Sequence, residues 1–162
     1  MTTRPYTGNS DGNHPAERPG TKRFVEFCEF LFNVKSLGIY ANRPMRGSAN
    51  LSVHATWRAV DLTGKGTPKQ NAASRKALVE FLFAHRDLLG IEEIHAYDGV
   101  GCPLPNLTQY GAGYRCDRDA WRGYSAVKNA GTPGGTWCHI ELAPNMADSA
   151  TAIEQAFTKI FA

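Results

Sequence analysis

The residues best equipped for chemistry lie in Ser52-Val-His-Ala-Thr-Trp-Arg-Ala-Val-Asp61 and in Trp137-Cys-His-Ile-Glu-Leu142. His54 stands seven residues before Asp61, and His139 adds a second imidazole far along the chain. Two imidazoles and a carboxylate form a three-ligand set for a catalytic zinc, with a fourth position open to water. Such a set points to hydrolysis. The ligands must converge from separate segments, and strands hold such groups more rigidly than loops do.

The elements that would do this are read from hydrophobic spacing. Residues 1–20 have no apolar periodicity and are expected to form a flexible tail, dispensable for folding, with residues 21–162 as a single domain. Helices are expected near 22–37, with Phe24, Phe27, Cys28, Leu31 and Val34 on its stripe, near 72–89, and near 149–161. Extended structure is expected over Leu51–Leu62, Ile91–Asp98 and Trp137–Leu142. In the last of these, a period of two sends Cys138, Ile140 and Leu142 to the core and Trp137, His139 and Glu141 to the opposite face. Residues 99–136 read as a long glycine-rich connection forming a site wall. The expected fold class is α+β, a small, mainly antiparallel sheet with flanking helices.

Composition narrows the function classes. The chain of 162 residues suits one domain, and a net charge of +3 is compatible with an anionic polymer such as a bacterial wall but too small for a nucleic-acid footprint. The N-terminus lacks the apolar stretch of a secretory signal and no run is long enough to span a membrane, so synthesis in the cytoplasm is expected, with no membrane partner. Cys28, Cys102, Cys116 and Cys138 lack the spacing of a zinc ribbon. Reduced thiols are expected, with pairing of Cys102 and Cys116 as the alternative in an oxidising compartment.

The first motif resembles the SxHxxGxAxD signature of the zinc D,D-carboxypeptidase and L-alanyl-D-glutamate endopeptidase superfamily. Ser52, His54, Ala59 and Asp61 are in register, and Trp57 stands where the signature has glycine. A last histidine on a later strand completes the zinc site in that superfamily, and His139 is similar in place. His95-Ala-Tyr-Asp-Gly99, Gly113-Tyr-Arg115 and Trp121-Arg-Gly-Tyr124 resemble a branch found in actinobacterial and phage cell-wall enzymes. The resemblance, over roughly residues 24–145, implies a Hedgehog/D,D-peptidase-like fold, a zinc cofactor, and cleavage of an amide bond in the peptidoglycan stem peptide by a phage endolysin or virion-associated lysin. It also implies an acid three residues before the last histidine, or a histidine two before it. Thr136 and Trp137 occupy those positions.

Amide hydrolysis needs a proton shuttle, so a substitute is required. Glu141, on the strand face of His139, is the first candidate for the base or for a position behind the imidazole, and Asp98 is the second. Arg43 and Arg46 are candidates for holding a substrate carboxylate. Ser52, Tyr114, Trp121 and Trp137 complete the expected substrate contacts. Tyr110, Tyr124, Arg115, Arg118 and Arg122 add aromatic and cationic groups to the long connection, a composition that suits glycan, muropeptide or single-stranded nucleic acid. The alternative from another class is a non-catalytic structural or wall-binding phage tail protein that keeps the fold and lacks the proton shuttle.

Overall fold

The structure is a computed structural model that describes residues 3–45, 47–125 and 133–162. Its elements, in chain order, are α1 (Pro19–Phe32), β1 (Val34–Gly38), a 3-10 turn (Val53–Thr56), β2 (Ala59–Gly64), α2 (Pro68–Ala84), β3 (Ile91–Ala96), β4 (Ala112–Arg115), β5 (Ala120–Gly123), β6 (Trp137–Leu142), α3 (Pro144–Ala147) and α4 (Ala150–Phe161). The strands form one six-stranded antiparallel sheet in the order β1-β2-β6-β3-β4-β5. The α+β expectation holds at this level. Among the described residues no helix is long and apolar enough to cross a membrane.

All helices share one buried cluster with a single face of the sheet. Phe24 and Cys28 of α1, Leu78 and Leu82 of α2, and Ile153 and Phe157 of α4 meet Val60, Leu62, Ile94, Tyr114, Ile140 and Leu142. The three helices are joined by aromatic contacts, Phe27 on Phe157 at 4.3 Å and Phe32 on Phe81 at 5.0 Å. A fully buried Phe or Leu is worth about 1.5–3 kcal/mol, so this face supplies the main hydrophobic driving force and leaves the other face for polar groups.

Several boundaries differ from expectation, each for a local reason. Helix α1 stops at Asn33, whose left-handed backbone (φ 51) turns the chain so that Val34 begins an edge strand; the apolar run through Val34 had suggested a longer helix. Helix α2 begins earlier, because Thr67 and Gln70 form a reciprocal capping box and Pro68 occupies the first turn. Leu51–Leu62 is a 3-10 turn followed by β2 rather than one strand. In β3 a register shift between Ile91 and Glu93 lets Ile91 and Ile94 both face the core, which explains why neither face of that segment looked cleanly apolar. The long connection contains the β4–β5 hairpin. It opens at Gly111, whose left-handed backbone (φ +66) suits glycine and where a Cβ would collide with the Ala96 carbonyl oxygen. All four cysteines are free thiols.

The expected N-terminal tail is instead a strap bound to the rest of the fold. Arg4 donates to the Ile91 carbonyl at 2.6 Å, Tyr6 to Glu141 at 2.8 Å and Thr7 to Glu92 at 2.8 Å. Trp57 Nε1 donates to the His14 carbonyl at 3.1 Å. The cause is electrostatic: Arg58 is fully buried, and its guanidinium is matched by the Leu142 and Gly8 carbonyls, Glu92 and Asp11. Sequence periodicity detects apolar burial and is blind to a segment held by such bonds. Deleting residues 1–18 removes Gly8 and Asp11 from this buried cation. Breaking a buried pair costs about 3–5 kcal/mol, and each kcal/mol moves the Tm of a chain of this size by roughly 2–4 °C. The truncated chain is expected to melt at least about 6 °C below the full chain by circular dichroism; an unchanged Tm would refute a structural role for the strap.

Candidate metal centre

Antiparallel pairing of β2 with β6 sets Asp61 directly opposite His139, and the 3-10 turn before β2 brings His54 over the same pair. Ser52 shapes that turn by accepting a hydrogen bond from His54 N at 3.4 Å, so it positions a ligand instead of meeting substrate. One donor atom from each of His54, Asp61 and His139 lies within 4.8 Å of the others. The centre keeps access to solvent through Asp61, whose side chain is 25% exposed.

Hydrogen bonds behind the ligands orient them. His54 Nδ1 lies 2.8 Å from the Ile39 carbonyl and donates its proton there, which leaves Nε2 as a lone pair facing the centre. His139 Nε2 donates to Glu141 at 2.9 Å, and Glu141 accepts in turn from Tyr6 at 2.8 Å. His139 Nδ1 therefore faces inward, 3.1 Å from both Asp61 Oδ1 and His54 Nε2. This is how a metal-binding histidine is usually supported, with its second ring nitrogen held by a carboxylate.

The charges are consistent with this arrangement. Burial would push the Asp61 carboxyl up, but the hydrogen bond and charge of the neighbouring His139 outweigh it and hold Asp61 well below the ordinary carboxylate range. Burial would push His139 down, yet Asp61 and Glu141 together hold it well above the ordinary histidine value. The cation-free centre is thus an imidazolium between two carboxylates, its Nδ1 proton directed to the point where the donor atoms converge. A divalent cation suits that point once this proton is lost. Two nitrogens and one carboxylate oxygen are a donor set that fits zinc.

The other expected site residues divide. Trp137 stays beside the centre, half-buried on the His139 face with its ring 5.1 Å from that of Tyr97. Tyr114 and Trp121 are corrected: they lie on the helix side of the sheet, packed against Phe83 at 5.3 and 5.6 Å, because alternation along the hairpin turns them into the core. Arg43 is exposed on the loop before the 3-10 turn and bonds the Pro44 carbonyl. Arg46 lies outside the described residues. Asp98 is corrected as a base, since both its oxygens are bound by Arg75 at 2.7 Å. Glu141 takes the orienting role: its carboxylate faces Nε2 of His139, away from the converging donors. Of the loop arginines, Arg115 pairs with Asp117 and Arg118 bonds the Gly113 carbonyl, so both serve the hairpin.

Sequence reasoning missed Glu93. It is the cross-strand partner of Glu141, and burial followed by the Glu141 charge pushes its carboxyl up to about 7. Its alternation with His95 was visible in the sequence, but the neighbouring carboxylate came from a strand placed beside it only by folding. Trp57 is also informative. Its backbone is left-handed (φ 59), and its ring stacks on Tyr40 at 4.5 Å.

No family model, curated protein or solved structure matches this chain.

Two outcomes follow from the electrostatics. Glu141→Gln removes the charge that orients His139 and is expected to weaken zinc affinity about 10–100-fold, while wild-type affinity rises with pH as Nδ1 sheds its proton; competitive chelator titration across pH measures both. Glu93 rises from 4.5 to about 7 on folding, so the native state holds its proton over that interval and its contribution to stability falls as pH climbs through it. Glu93→Gln is expected to leave Tm unchanged near pH 4 and raise it by a few degrees at pH 8 in thermal melts of the metal-free protein.

Proposed function

We propose that this chain is a zinc-dependent peptidase that cleaves an amide bond in the stem peptide of peptidoglycan, acting as a phage endolysin or virion-associated lysin with a Hedgehog/D,D-peptidase-like fold. The observation that carries this reading is the convergence of His54, Asp61 and His139 from three segments onto one solvent-reachable point. Trp57 supports it as well. The position where the resembled signature has glycine has a left-handed backbone, a conformation glycine adopts without strain, so a glycine in the signature would suit the chain path here.

Bound at this point, zinc would supply Lewis acidity that polarises a carbonyl and lowers the pKa of water. The protein's part is to hold that geometry. Ile39 fixes the ring of His54, Glu141 fixes the ring of His139, and Tyr6 fixes Glu141. Asp61 contributes the one carboxylate of the ligand set. Glu93, with a carboxyl near neutrality on the same sheet face, is suited to take up and return a proton, the task for which Glu141 and Asp98 are too firmly bound.

The second reading, a non-catalytic wall-binding or tail protein, draws on Thr136 and Trp137 at the positions where the superfamily carries its acid or histidine. One experiment separates the two. Elemental analysis of the purified chain is expected to find one zinc, lost in His54→Ala and His139→Ala, and mass spectrometry of digested muropeptides to show amide cleavage that those variants reduce about a hundredfold or more. Zinc without cleavage selects the non-catalytic reading, and a chain that binds no zinc refutes the centre.

A further inference from the structure

Strand β3 carries another imidazole on the face that holds the centre. His95 is the cross-strand partner of His139, so the two rings stand on adjacent strands at the same level. It is 5% exposed, and its Nε2 is a buried polar atom with no hydrogen-bond partner among the described residues. It is not one of the three residues whose donor atoms converge. Natural proteins seldom leave a buried nitrogen unmatched, because the group has lost water and gained nothing in return. Such an atom is a place for a ligand atom to bind.

The surroundings fix this ring before any ligand arrives. Tyr97 stacks on it at 4.1 Å and Tyr124 leans on it at 4.6 Å. A neutral imidazole presents one nitrogen as acceptor and one as donor, and an amide has the complementary N–H and carbonyl. Tyr124 also borders a cleft of about 320 Å³ between residues 104–108 and Gly123–Ser125.

Resting on the peptidase reading above, we propose that His95 is a substrate-contact residue, whose Nε2 hydrogen-bonds the amide of a stem peptide presented to His54, Asp61 and His139. The contact adds a fixed direction to a centre that otherwise offers only a point of charge, and it selects an extended peptide over a small ester or acid. His95 thereby acts on substrate binding rather than on holding the metal.

The test uses the full zinc-loaded chain and a purified disaccharide-pentapeptide muropeptide. Nitrogen-15 NMR of labelled histidines is expected to show the His95 Nε2 resonance moving as muropeptide saturates. His95→Phe is expected to raise KM about tenfold with zinc stoichiometry and melting temperature retained. His95→Gln, which keeps an amide donor and acceptor, is expected to recover most of the loss. An Nε2 resonance unmoved at saturation, or a Phe variant that binds and cleaves like wild type, overturns the role of His95 and leaves the peptidase reading intact. A zinc-loaded wild type that neither binds nor cleaves muropeptide overturns both. Should the Phe variant fail to fold, the wild-type resonance and the Gln variant decide the question.

Discussion

The structure depends most on the burial of one cation. Arg58 has no exposure, and a guanidinium taken fully out of water must be met by acceptors on every side. Those acceptors come from distant parts of the chain: Asp11 and the Gly8 carbonyl from the N-terminal strap, Glu92 from the bulge of β3, and the Leu142 carbonyl from the end of β6. Satisfying Arg58 therefore draws the strap to the sheet and joins β3 and β6 at one end. Asp11 also pairs with Arg18, which reaches Asp148 as well, so the same network extends to the start of α1 and to the residue after α3.

The strap connects this charge network to the candidate centre. With Gly8 held by Arg58 and Thr7 by Glu92, Tyr6 meets Glu141. Glu141 in turn fixes the ring of His139, whose inward nitrogen faces Asp61 and His54. A change at the N-terminus is thus transmitted to the His139 ring through two consecutive hydrogen bonds, Tyr6 to Glu141 and His139 to Glu141. Fixing the imidazole in this way matters because a ligand set that is slightly loose loses both affinity and chemistry.

The sheet divides the work between its two faces. The face packed by α1, α2 and α4 is apolar and supplies stability, while the other carries Asp61, His139, His95, Glu93 and Glu141 in adjacent cross-strand rows. Crowding acidic and basic groups on one half-buried face costs solvation. The cost appears as ionisation shifts of opposite sense, with Asp61 held down and Glu93 pushed up. Groups whose environments drive them apart in this way are suited to divided roles in acid–base chemistry.

Much of this was legible in the residues themselves. Alternation in Trp137–Leu142 separated Cys138, Ile140 and Leu142 from His139 and Glu141, and residue types together with the resemblance of the first motif proposed His54, Asp61 and His139 as ligands, which the structure brings together. The resemblance to a wall peptidase rests on Ser52, His54, Ala59 and Asp61 of one short motif. Tertiary structure decided what depended on neighbours distant in sequence. Only the pairing of β3 with β6 set Glu93 against Glu141 and His95 against His139. Only the hairpin's twist of side chains into the core removed Tyr114 and Trp121 from the site, and only the hidden charge of Arg58 turned a tail with no apolar pattern into a strap. Periodicity records which side chains leave water, and it carries no record of the partner a buried charge will find.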